Sequence, residues 1–98
     1  MKIEKNVKNG KVLFAIEGRL DTTTAPELEK ELEDLLSEVK ELVFDMSELE
    51  YISSAGLRVL LKAKKTMNVQ GNMKVTHVNE SIMEVFEITG FLDILTIE

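Results

Sequence analysis

Two adjacent serines, Ser53 and Ser54, carry the hydroxyl groups best placed for chemistry in this chain. They lie between an apolar strand predicted at 42–44 and an apolar helix predicted from Leu57, so they occupy a strand-to-helix junction. The first N–H groups of a helix are unpaired and carry a partial positive charge, which favours a phosphate group. A serine before a helix is also an ordinary N-cap, but capping needs one serine and two are present. From the residues alone the N-cap is therefore the ordinary interpretation, and a serine that is modified is the alternative.

The helix that follows the serines opens with a glycine and a cluster of cations. Gly56 costs a helix about 1 kcal/mol relative to alanine, so its presence needs a reason, and close approach of a partner backbone is one such reason. Arg58 comes next in the same predicted turn, and three lysines follow it. Such a run is usually a solvated helix face, but beside the serines it is also suited to steer an acidic partner surface. The lysines are Lys62, Lys64 and Lys65.

Two aspartates and the single histidine are the remaining groups with potential chemistry. Asp21 and Asp45 each follow a predicted strand, where an aspartate ordinarily hydrogen-bonds the backbone of a turn. Two carboxylates without further ligands make a poor metal site, so no metal is expected. His77 ends an alternating apolar segment predicted at 73–77 and is expected to point inward. A triad of Ser54, His77 and Asp45 lacks the nucleophile elbow of hydrolases, so a small serine hydrolase is the weaker alternative.

The composition favours one acidic globular domain. With 98 residues, 44% of them hydrophobic, the chain can bury a single core. Its net charge of -6 argues against nucleic acid or an anionic membrane as the partner. The absence of cysteine excludes disulfide and thiolate chemistry and agrees with a reducing compartment. Neither a signal peptide nor an apolar run of membrane-spanning length is present, so we expect a cytoplasmic protein without a cofactor.

The hydrophobic pattern predicts an α/β fold, in which an N-terminal hairpin is followed by alternating helices and strands. Asn9-Gly10 is a strong hairpin signal because both residues tolerate positive φ. Thr24 and Glu27 fit a capping box, Asn79 fits an N-cap, and Gly90 fits a helix end. Strands that alternate with helices imply parallel pairing through right-handed crossovers, so the sheet is expected to be mixed.

We expect strands at 3–7, 12–16 (closed by Gly18), 42–44, 73–77 and 91–97, and helices at 24–39, 57–71 and 79–90. The first of these strands is expected at an edge, and 12–16 is expected to be covered on both faces. The predicted inner helix faces are Leu28, Leu32, Leu35, Leu36 and Val39, then Leu57, Leu60, Leu61 and Met67, then Ile82, Val85 and Phe86.

The serine segment resembles the signature of a known family. Asp-Met-Ser at 45–47, followed after a short spacer by Ile-Ser-Ser-Ala-Gly-Leu at 52–57, resembles the STAS domain and more narrowly the bacterial anti-sigma factor antagonists. The segments 17–21 and 79–86, with Gly-Phe at 90–91, are similar to other parts of the same family.

The resemblance implies a single STAS domain over residues 1–98 that is not an enzyme. It implies an anti-sigma factor, itself a serine kinase, as the partner that the unphosphorylated domain binds to free a sigma factor. The kinase would then phosphorylate Ser54 and end the complex, and a serine phosphatase would reverse this. Ser53 stands where the family commonly has aspartate, which makes it a rival acceptor. We expect the partner surface to include Asp21, Ser53, Gly56, Leu57 and Arg58. The alternative is a STAS module in a scaffold, a lipid-transport assembly or an assembly that regulates an anion transporter.

Overall fold

A computed structural model describes residues 1–35 and 38–98, and its first element is a β-hairpin. Strand β1 (Lys2–Lys8) pairs antiparallel with β2 (Lys11–Leu20). Asn9 and Gly10 turn the chain with φ of 50° and 82°, the left-handed conformation that a two-residue hairpin loop requires. Because β1 is the first strand in the order β1-β2-β3-β5 found among the described residues, its predicted edge position is confirmed.

The central part of the sheet is parallel. Strand β3 (Glu41–Asp45) pairs with the first half of β2, and β5 (Asn72–Thr76) pairs with β3, both in parallel register. Helix α1 (Ala25–Leu35) connects β2 to β3, and helix α2 (Ser54–Gln70) precedes β5. The predicted mixed sheet with an N-terminal hairpin and helical crossovers is therefore confirmed.

Strand β4 (Leu49–Ile52) is an element that the hydrophobic pattern did not predict. It pairs in parallel with Gly18–Leu20, so β2 continues to Leu20 and the prediction that Gly18 closes it is wrong. Gly18 has a φ of 98°, and the register shifts between Gly18 and Arg19. Glycine here forms a bulge that bends the strand without ending it. Because β4 leads into α2, this pairing holds the serine segment against the end of β2.

Helix α3 (Glu80–Thr89) has both of its predicted ends. The Asn79 side chain accepts a hydrogen bond from the Ile82 amide, and Gly90 ends the helix in the left-handed conformation with φ of 80°. The prediction of a strand after Gly90 is largely wrong. The chain forms a 3₁₀ turn at Phe91–Asp93 and then a single parallel bridge between Ile97 and Val75.

One hydrophobic core joins the sheet to the helices. The rings of Phe14 and Phe44 stack within it with centroids 5.7 Å apart. Residues 12–16 alternate between buried and half-buried positions, so the expected burial on both faces is met only in part. Leu61 is half-buried, and Val59 and Ala63 take the inward positions beside it. Leu36 lies outside the described residues, as does the side chain of Leu35. None of the helices in 1–35 and 38–98 is long and apolar enough to cross a membrane.

Candidate functional site

The structure separates the roles of the two serines. Ser53 is the N-cap of α2, in extended conformation, and its hydroxyl oxygen accepts a hydrogen bond from the Gly56 amide at 3.5 Å. Ser54 is the first residue of α2 and is exposed, whereas Ser53 is half-buried. No hydrogen bond engages the Ser54 hydroxyl within the described part of the chain. One serine therefore caps the helix, and the other presents a free hydroxyl to solvent.

One backbone hydrogen bond joins the start of α2 to the end of β2, and a second lies within the first turn of the helix. The Ser53 amide donates to the Leu20 carbonyl oxygen at 2.9 Å, and the Leu57 amide donates to the Ser53 carbonyl oxygen at 2.9 Å. Asp21 is the residue directly after Leu20, so the turn that carries Asp21 adjoins the serine segment. In the sequence the Asp21 turn and the serine pair are separate features, and the sheet brings them together.

Gly56 is required by packing within the domain. A Cβ atom at this position would lie 2.8 Å from both Leu20 Cγ and Ile52 Cγ1, closer than carbon atoms normally approach. The groups that crowd Gly56 are thus side chains and a carbonyl oxygen of this chain, so the glycine does not need the partner backbone considered from the sequence. Leu57, also expected on the partner surface, is only 7% exposed and belongs to the core. A partner contact at either residue remains a prediction, and the structure leaves little surface at both.

Asp21 shapes the turn before α1. Its carboxylate accepts hydrogen bonds from the Thr23 hydroxyl at 2.7 Å, the Thr23 amide at 3.0 Å and the Thr24 amide at 3.2 Å. The bond from the Thr23 hydroxyl is the main cause that lowers the pKa of Asp21 from its ordinary value. The Thr24 hydroxyl accepts from the Asp21 amide and donates to the Arg19 carbonyl oxygen. Because Thr24 is used in this way, the predicted capping box with Glu27 is wrong, and the prediction of a turn aspartate is confirmed.

Arg19 and Tyr51 form a contact that sequence reasoning missed. The guanidinium carbon of Arg19 lies 4.2 Å from the centre of the Tyr51 ring, and its Nε lies 3.7 Å from Asp21 Oδ2. Arg19 and Tyr51 are register partners in the β2–β4 pair. Since β4 was not predicted, nothing in the sequence pattern indicated this pair.

A groove of about 390 Å³ separates α1 from α2 beside the serine segment. Arg58 and Lys62 lie on its α2 side. Lys62 Nζ is 2.7 Å from Glu29 Oε1 and 3.6 Å from Glu33 Oε1, and the hydrogen bond that Lys62 donates to Glu29 is the main cause that raises the pKa of Lys62. The groove is lined by Thr22, Ala25, Pro26, Glu29, Ala55, Arg58, Val59 and Lys62. Lys62 is thus paired with α1 carboxylates within the domain, and steering of a partner by the lysines stays a prediction.

Arg58 differs from Lys62 because its charge has no partner among the described residues. It is exposed, and across residues 1–35 and 38–98 no hydrogen bond or ion pair holds its side chain. It is therefore a cation at the mouth of the groove that remains available to another group.

His77 does not point inward, as the alternating pattern predicted. Strand β5 ends at Thr76, and His77 adopts a φ of 56° that turns its side chain outward, where it is 70% exposed. Its Nδ1 lies 3.5 Å from Asp45 Oδ1, which also accepts the Ser47 amide at 2.9 Å. Asp45 is therefore a loop-shaping aspartate, as expected. No hydrogen bond joins His77 to Ser54 among the described residues, so the hydrolase triad is not assembled.

No cluster of histidine, aspartate and glutamate side chains suited to a metal ion occurs in the described ranges. The site therefore consists of the exposed Ser54 hydroxyl, the Asp21 turn, the Arg19–Tyr51 pair and the free Arg58. This arrangement offers an accessible nucleophile for modification and polar groups for docking. Within the described residues, neither a histidine nor a carboxylate hydrogen-bonds the Ser54 hydroxyl as a general base would.

Relatives of known class match nearly the whole chain. The sequence model of the STAS domain matches residues 2–98. The protein BtrV of Bordetella bronchiseptica, named as a candidate anti-sigma factor antagonist, is 37% identical over 99 residues, which cover 99% of this chain and 85% of that protein. The anti-sigma-B factor antagonist of Bacillus subtilis is 30% identical over 100 residues, which cover 99% of this chain and 92% of that protein.

Solved structures of low sequence identity share the fold. The anti-sigma factor antagonist SpoIIAA in its unphosphorylated form has a TM-score of 0.86 at 14% identity, covering 99% of this chain and 88% of the other. Bacillus SpoIIAA in its phosphorylated form has a TM-score of 0.78 at 15% identity, covering 99% and 91%. By sequence and fold together, this chain belongs to the STAS domain family and, within it, to the anti-sigma factor antagonists.

Proposed function

We propose that the unmodified domain binds an anti-sigma factor that is a serine kinase, frees a sigma factor, and is released when the kinase phosphorylates Ser54. In that step the γ-phosphoryl group of ATP passes to Ser54 Oγ, the hydroxyl proton is lost, and ADP leaves. A serine phosphatase would hydrolyse the phosphoserine and restore binding. The observation that carries the proposal is the exposed, unengaged Ser54 hydroxyl at the start of α2.

The choice of Ser54 over Ser53 follows from helix capping. Phosphorylation of Ser53 would turn the hydroxyl oxygen that accepts the Gly56 amide into the ester oxygen of a bulky phosphate at a half-buried position. Phosphorylation of Ser54 disturbs no hydrogen bond within the described residues and adds negative charge where a helix N-terminus tolerates it. The relatives' names, which describe anti-sigma factor antagonists, support the same class of partner.

The proposed docking surface surrounds Ser54. Asp21 follows Leu20, whose carbonyl oxygen accepts the Ser53 amide, and Arg58 lies four residues after Ser54 on α2, so the two supply opposite charges to this surface. Such an arrangement can orient a partner by charge complementarity. A STAS module in a scaffold or transport assembly is the alternative within the fold, and no feature of the site favours it.

The test is phosphotransfer from the cognate kinase with ATP, followed by mass spectrometry of the intact protein. Four proteins are compared: the parent, Ser54→Ala, Ser53→Ala and Ser81→Ala. Ser81 is the matched control, because it is also an exposed serine in the first turn of a helix, α3. We expect one phosphate on the parent, Ser53→Ala and Ser81→Ala, and none on Ser54→Ala. A phosphate that persists in Ser54→Ala but disappears in Ser53→Ala would move the acceptor to Ser53.

A further inference from the structure

Arg58 lies one helical turn after Ser54 on α2. Residues four apart on an α-helix share a face, and long side chains lean toward the helix N-terminus. Arg58 lines the groove between α1 and α2, and so does Ala55, the residue directly after Ser54. An acidic group at the earlier position and a basic group four residues later is the favourable order for a helical ion pair.

The other cations around the serine are already engaged within the domain. Lys62 is paired with Glu29 and Glu33 on α1. Arg19 lies over the Tyr51 ring and 3.7 Å from Asp21. Of the cations nearest to Ser54 in the described structure, Arg58 is the one whose side chain has no hydrogen bond or ion pair.

A phosphate on Ser54 would supply the partner that Arg58 lacks. A phosphoserine carries about -1.5 to -2 charges at pH 7 and three acceptor oxygens. A guanidinium group can bind two of these oxygens at once, in a charge-assisted and often bidentate contact. Because both groups lie on one face of a preformed helix, the contact requires no movement of the backbone.

We propose that Arg58 is the internal receptor for a phosphate on Ser54, an inference that rests on the proposed function. In the unmodified domain Arg58 is available to an acidic group of the partner. In the phosphorylated domain the same guanidinium is held by the phosphate. Phosphorylation then acts twice on the interface: it adds negative charge, and it withdraws the cation that the partner would bind.

The test measures the second pKa of the phosphate by ³¹P NMR on the full chain with phosphoserine placed at position 54 during translation. The phosphorylated parent is compared with phosphorylated Arg58→Gln, Arg58→Lys and Lys65→Gln. Lys65 is the matched control, because it is an exposed cation of α2 without a partner in the described residues, and it lies about three turns from Ser54. An adjacent cation stabilises the dianion, so the phosphate pKa should be lower in the parent than in Arg58→Gln. We expect a difference of about 0.15–0.4 units, from the usual strength of such a helical pair.

Arg58→Lys should give an intermediate pKa, because it keeps the charge and loses the bidentate contact. Lys65→Gln should match the parent. Equal pKa values in the parent and in Arg58→Gln would overturn the proposal, and so would an equal rise in Lys65→Gln, which would show a general charge effect. Dispersed amide spectra of each variant establish that it is folded. Since the phosphate is installed without a kinase, a kinase that fails to modify Ser54 would defeat the proposed function and leave this measurement intact.

Discussion

The Ser53 amide donates a hydrogen bond of 2.9 Å to the Leu20 carbonyl oxygen, and this bond joins the serine segment to the end of β2. The residue after Leu20 is Asp21, and the residue after Ser53 is Ser54. This hydrogen bond extends the β2–β4 pairing and helps to hold together two segments more than thirty residues apart in sequence. The proposed docking surface depends on this connection.

Ser53→Ala should lower stability while leaving Ser54 accessible. Removal of an N-cap side chain typically costs about 1 kcal/mol, and the 3.5 Å distance from Ser53 Oγ to the Gly56 amide places the expected loss in the lower part of that range. Ser54→Ala, at an exposed position, should change stability by less than about 0.5 kcal/mol. Urea unfolding measures the free energy of unfolding of both variants and of the parent. Equal stability of the two variants would remove the distinction between cap and free hydroxyl.

Gly56→Ala should destabilise the domain although alanine is the better helix former. The new methyl carbon would lie 2.8 Å from Leu20 Cγ and Ile52 Cγ1 and 3.0 Å from the Leu20 carbonyl oxygen. Overpacking of this kind typically costs about 1–3 kcal/mol, against a gain of about 1 kcal/mol in helix propensity. Thermal and urea unfolding measure the net loss. A variant at least as stable as the parent would show that Gly56 is retained for a reason other than internal packing.

The stability of the domain should fall in acid partly through Asp21. Hydrogen bonds from Thr23 and Thr24 favour the ionised carboxylate, so the pKa of Asp21 in the folded state lies below its ordinary value of 3.8. Its contribution is present above that ordinary value and is lost as the pH falls through the folded pKa. Asp21→Asn should therefore unfold with a weaker dependence on pH below about 4. If the free energy of unfolding depends on pH in the same way for variant and parent between pH 2 and 6, this prediction is wrong.

Arg58→Glu should weaken kinase binding at least about tenfold, because a like charge across an interface can cost several kcal/mol. Its melting temperature should change little, since Arg58 is exposed and holds no partner within residues 1–35 and 38–98. Lys65→Glu is the control with the same charge change on the same helix. Calorimetric titration of the kinase with each variant measures the two affinities. Unchanged affinity in Arg58→Glu, or an equal loss in Lys65→Glu, would remove Arg58 from the interface.

Phosphorylation should release the partner mainly by charge, without refolding the domain. A negative charge at an exposed helix N-terminus is favoured by about 0.3–1 kcal/mol, so the free domain should keep its fold. Backbone amide shifts should change near Ser54 and Arg58 only, and Ser54→Asp should remain folded while it binds the kinase weakly. If Arg58 also captures the phosphate, the affinity lost on phosphorylation should be smaller in Arg58→Gln than in the parent. Shift changes spread across β3 and β5 would indicate a conformational switch and defeat this prediction.

Features set by neighbouring residues were predictable from the sequence. The Asn9-Gly10 turn needs two residues that tolerate positive φ, and the structure has both there. Asn79 and Gly90 bracket α3 as predicted, because a side-chain cap and a left-handed glycine act over a few residues. The alternation of strands and helices also predicted the mixed α/β sheet, and the segment 52–57 pointed to the family.

Features set by distant residues needed the tertiary structure. Strand β4 is four residues long with two exposed side chains, and it exists because it pairs with Gly18–Leu20. The outward turn of His77 follows from the end of β5, which an alternating pattern does not mark. Lys62 and Arg58 look alike in sequence, but only Lys62 meets α1 carboxylates. The sequence by itself thus determined the class of the domain and the pair of serines. Packing between separate segments decided which serine hydroxyl is exposed and which nearby cation has no partner among the described residues.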